Sequence, residues 1–171
     1  IPPAGADFAD VGDDVFVFES NVIFGGDIFG NGGANTITAT AWTNPIIATI
    51  DANGDTMFSA NPTFAAEFND IGTLNLGSGN DTITFTALPT SAPATGLVAV
   101  NANGGTGDKL IITAAVDTPK WNLTGDGAGD VTSGSVAVNG QLDFSGFEDS
   151  QTVGNTAEYS FNGFSFAGTI T

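Results

Sequence analysis

Gly79-Asn80-Asp81-Thr82-Ile83-Thr84-Phe85 is a glycine turn, a pair of turn-forming polar residues, and then an alternating β-branched strand. Asn and Asp close such turns through nearby backbone, and Thr-Ile-Thr-Phe has the two-residue period of a strand with one buried face. The phrase recurs on both sides. Upstream it reads Gly12-Asp13-Asp14-Val15-Phe16-Val17-Phe18, Gly33-Ala34-Asn35-Thr36-Ile37-Thr38 and Gly54-Asp55-Thr56-Met57-Phe58. Downstream, Gly107-Asp108-Lys109-Leu110-Ile111-Ile112, Gly129-Asp130-Val131-Thr132 and Gly154-Asn155-Thr156 are looser copies. Aligned on the last Asp or Asn, the copies fall at positions 14, 35, 55, 81, 108, 130 and 155, at intervals of 20 to 27 residues. Repeats of that length mark a stack of similar units, each too small to bury its own apolar face.

The rest of the chain agrees with an all-β reading. Val15 to Phe18, Asn21 to Phe24, Ile37 to Ala41, Ile46 to Ile50, Thr82 to Thr86, Leu97 to Val100, Leu110 to Thr113 and Val136 to Val138 are short β-branched or aromatic runs between Gly, Asn, Asp and Pro. A second strand precedes several turns, as in Leu74-Asn75-Leu76, Val98-Ala99-Val100, Trp121-Asn122-Leu123 and Leu142-Asp143-Phe144. Only Phe64 to Phe68 reads as a helical turn. The expected fold is a β-solenoid, parallel β-helix-like, with about seven irregular coils. An antiparallel β-sandwich is the alternative, since short strands with regular turns also suit it. Residues 1–171 form one expected domain; Ala87 to Thr95 reads as an inserted loop, and 159–171 as a capping or subunit-exchange strand.

Composition narrows the function. Nineteen acidic residues face two lysines, Lys109 and Lys120, with no arginine or histidine, for a net charge of −17. Such a field repels phosphate backbones and anionic lipids, so neither nucleic acid nor a membrane is an expected partner. No stretch is apolar for long enough to span a bilayer as a helix. There is no cysteine, and therefore no disulfide, thiolate metal site or cysteine nucleophile. Without histidine there is no imidazole base, and without arginine no guanidinium clamp, so catalysis is not expected. A carboxylate pair for glycoside hydrolysis would have to come from Asp residues or from Glu19, Glu67, Glu148 and Glu158, none in a distinctive setting. The first residue, Ile1, suggests a processed chain from which an export signal was removed.

Leu76-Gly77-Ser78-Gly79-Asn80-Asp81-Thr82-Ile83-Thr84 resembles the calcium-binding nonapeptide of RTX β-rolls, with Leu76 in place of the first glycine. Gly104-Gly105-Thr106-Gly107-Asp108-Lys109-Leu110 is similar, one residue short. The nine-residue repeat itself is missing. The chain therefore looks more like the looser Gly-Asp repeats of large secreted bacterial adhesins and haemagglutinin-type proteins. The resemblance implies an extracellular or cell-surface location and calcium held by turn carboxylates and carbonyls. Its candidate metal ligands are Asp13, Asp14, Asp55, Asp81, Asp108, Asp126 and Asp130. The simpler role for each is to complete its own turn.

These features point to a non-enzymatic extracellular structural protein, a calcium-stabilised subunit of a surface fibre, layer or adhesin. It would form a homo-polymer through unpaired strand edges, with Asp14 to Phe18 and the tail from Tyr159 as contacts. A glycan- or ice-binding module of a larger adhesin is the alternative. Its candidate contacts are Trp42, Trp121 and Tyr159 for cell-surface glycans, or the Thr-x-Thr runs at Thr36 and Thr82 for ice.

Overall fold

A computed structural model describes residues 12–19, 27–51, 56–60, 64–69, 71–86, 99–113, 118–125, 127–132, 141–153 and 157–161. Fifteen strands lie in this part, and no helix. In chain order they are β1 (Val15–Val17), β2 (Ile28–Phe29), β3 (Asn35–Thr38), β4 (Ile46–Ile50) and β5 (Thr56–Ala60). Next come β6 (Phe64–Asn69), β7 (Ile71–Asn75), β8 (Thr82–Phe85), β9 (Ala99–Asn101) and β10 (Lys109–Ile112). The last five are β11 (Lys120–Gly125), β12 (Ala128–Thr132), β13 (Gln141–Ser145), β14 (Asp149–Thr152) and β15 (Glu158–Phe161).

The strands build two open, mixed sheets. Sheet A has eight strands in the order β1-β3-β7-β9-β13-β12-β11-β15, and sheet B seven in the order β14-β10-β8-β4-β5-β6-β2. Successive strands β3 and β4, β7 and β8, β9 and β10, and β13 and β14 alternate between the sheets. Nine pairings are parallel. Among the described residues, only the four within β4-β5-β6 and β11-β12-β13 are antiparallel, so a purely antiparallel sandwich does not describe them.

The inner faces supply one continuous core. Ile37, Leu74, Val100 and Phe144 lie in one line of register across sheet A, all buried. Opposite them, Ala48, Ile83 and Leu110 form one line of sheet B, and Ile50, Phe85 and Ile112 the next. All belong to a single apolar cluster. Alternation along each strand is what puts them there: Thr82 and Thr84 are half-buried on the outer face while Ile83 and Phe85 are buried.

Two expectations are corrected. Phe64 to Phe68 is not a helical turn; Phe64–Asn69 is strand β6, paired with β5 from Phe64 to Phe68. Ladder hydrogen bonds with β5 outweigh the weak helical preference of Ala65, Ala66 and Glu67. The Gly129-Asp130 copy of the repeat is not a corner between sheets. It lies inside β12, one arm of an antiparallel hairpin. The runs at Asn21 to Phe24, Ala87 to Thr95 and Val136 to Val138 lie outside the described residues.

Glycine is required where neighbouring turns touch. A Cβ on Gly77 would fall on the Trp42 carbonyl oxygen, which already accepts the Ser78 N–H at 2.7 Å. Backbone sits on both sides of this contact, so a side chain cannot be absorbed by a rotamer change. Gly77→Ala is expected to destabilise the fold by about 2–3 kcal/mol, read as a lower urea midpoint. An unchanged midpoint would show that the turn can shift at no cost.

Candidate functional site

The repeated acids form a column at the corners entering sheet B. The Ile46 N–H donates to Asp81 Oδ1 at 2.7 Å. The Asp81 N–H donates to Asp108 Oδ1 at 2.6 Å, and the Asp108 N–H to Glu148 Oε2 at 2.7 Å. Each carboxylate thus accepts the backbone N–H of the preceding corner and caps a donor that its own strand leaves unpaired. Backbone bonds run through the same corners, from the Lys109 N–H to Asp81 O and from the Asp149 N–H to Asp108 O. The expected role of these acids, closing their own turns, becomes in the fold a bond between turns.

A second, shorter column stands at the entry to sheet A. The Asp14 N–H donates to Asn35 Oδ1 at 2.9 Å, and Asn35 Nδ2 donates to Gly32 O at 2.9 Å. Asn35 is fully buried, and its amide satisfies both sides of the corner without a charge. Asp13 Oδ1 accepts the Ala34 N–H at 2.7 Å.

Asp81 and Asp108 are buried with one oxygen each, Oδ2, that has no hydrogen-bond partner. Burial raises the Asp81 pKa from 3.8 to about 7; the nearby Asp108 charge pushes the same way, while the bond from the Ile46 N–H and the nearby Gly77 backbone oppose it. The Asp108 pKa is also raised, first by burial and then by Glu148, against the bond from the Asp81 N–H. Two neighbouring buried carboxylates cannot both ionise cheaply.

The structure thus brings together Asp81 and Asp108, with Glu148 completing the column. Asp13 and Asp14 stand at the other column. Asp130 lies elsewhere, accepting from Asn122 Nδ2 at 2.8 Å and opposite Asp143 across the β12–β13 pairing. Asp55 and Asp126 lie outside the described residues. Among the described residues, no three His, Cys, Asp or Glu side chains gather into a group that could hold a metal. In the column, one oxygen each of Asp81, Asp108 and Glu148 accepts a backbone donor.

Glu148 is the residue that sequence reading passed over. Its signal was Phe147-Glu148-Asp149-Ser150, which enters β14 as Gly107-Asp108-Lys109-Leu110 enters β10. The 40-residue spacing from Asp108 hid it. The β11–β12 hairpin is inserted in that interval, as β5–β6 is in the 35 residues between Ile46 and Asp81. Without a hairpin, Asp81 and Asp108 are 27 residues apart.

The other surface candidates are also resolved. Trp42 and Trp121 are core residues, so they offer no sugar platform. The side chain of Tyr159 lies outside the described residues. Lys109 Nζ sits 3.9 Å from Asp149 Oδ2 on the outer face of sheet B, both about half exposed. Such a pair contributes little to stability.

Large apolar side chains are exposed mainly at the ends of the sheets. Val15 is 64% and Val17 61% exposed on β1, Phe29 36% on β2, and Val153 48% just after β14. Ile47, in the middle of sheet B, is the remaining one among the described residues. No helix among the described residues is long and apolar enough to cross a membrane. Comparison with protein families, curated proteins and solved structures finds no match to this chain.

Proposed function

We propose that this chain is a non-enzymatic structural protein of the extracellular space or cell surface, a β-solenoid that assembles with copies of itself through its open ends. The observation that carries this reading is the concentration of exposed valine and phenylalanine on the terminal strands β1 and β2 and just after the terminal strand β14. A terminal strand presents unpaired N–H and C=O groups, and proteins that stay monomeric blunt such strands with charge, proline or a covering element. Val15 and Val17 do the reverse. Calcium enters the proposal as a counter-ion between copies, because a chain of net charge −17 opposes its own association.

Sedimentation velocity in millimolar calcium and then in excess chelator tests this. Polymers in calcium that return to monomers in chelator are expected. Monomers under both conditions would defeat the assembly reading. They would favour a glycan- or ice-binding module, for which the outward residues Thr49, Thr82 and Thr84 of sheet B supply hydroxyl groups beside exposed Ile47.

A further inference from the structure

We draw no further inference here: the strongest candidate, the pair of buried carboxylate oxygens Asp81 Oδ2 and Asp108 Oδ2 at the corners entering sheet B, belongs to the site already described, and a cation held there is what the resemblance to Gly-Asp repeats already implies.

Discussion

Replacing Trp121 with alanine is expected to remove about 3–5 kcal/mol of stability, the range for deleting a buried aromatic ring. The ring is 1% exposed and meets Phe144 edge-on, with centroids 5.5 Å apart and planes at 78°. Its Nε1–H donates to Thr152 Oγ1 at 3.0 Å, which ties β11 of sheet A to the terminal strand β14 of sheet B. Packing and hydrogen bond therefore fail together. Trp121→Phe separates them. It keeps most of the buried ring and loses the N–H, so about 1–2 kcal/mol is expected from the broken bond and imperfect fit. Urea denaturation of both variants checks this. An alanine variant within 1 kcal/mol of wild type, by the roughly 25 cal/mol per Å² of apolar burial, would mean that Trp121 does not couple the sheets.

Stability is expected to rise as pH falls from about 8 to about 4, where most proteins gain little or lose stability. The sign follows from Asp81. Its folded pKa is raised from 3.8 to about 7, so the folded chain keeps a proton that the unfolded chain releases across that window. The stabilisation is complete below pH 3.8 and is lost as pH rises through about 7. Asp108 titrates in the same sense. The bare shift would correspond to about 4 kcal/mol; screening by solvent and the polar backbone brings the expected change to about 2 kcal/mol. Asp81→Asn keeps an Oδ1 acceptor for the Ile46 N–H and removes the ionisation. Denaturation midpoints across this pH range should then be flatter for the variant than for wild type. Parallel profiles for the two proteins would show that Asp81 is ionised throughout.

The difference between Asn35 and Asp81 shows why the charge matters. Both sit at a corner and accept one backbone N–H from the turn before. Asn35 returns its amide to Gly32 O, and Asp81 has no donor for its second oxygen. The two residues look interchangeable in the repeat and become physically different only when buried.

Sequence alone determined the all-β class, the strands around Val15, Ile46, Thr82 and Leu110, the buried alternation of Ile83 and Phe85, and the glycine corners. These are local: a two-residue period and a turn chemistry are written in consecutive residues. Tertiary structure decided which strands share a sheet, that β5–β6 and β11–β12 are inserted hairpins, and that Glu148 rather than Asp130 follows Asp108 in the column. Those outcomes depend on register between residues 27 to 40 positions apart, which hydrogen bonds between turns select and no local pattern encodes. The bonds between the acids and neighbouring turns were hidden for the same reason. A carboxylate after a glycine turn reads as a metal ligand or a turn cap, and only stacking reveals the neighbouring turn's N–H that it accepts.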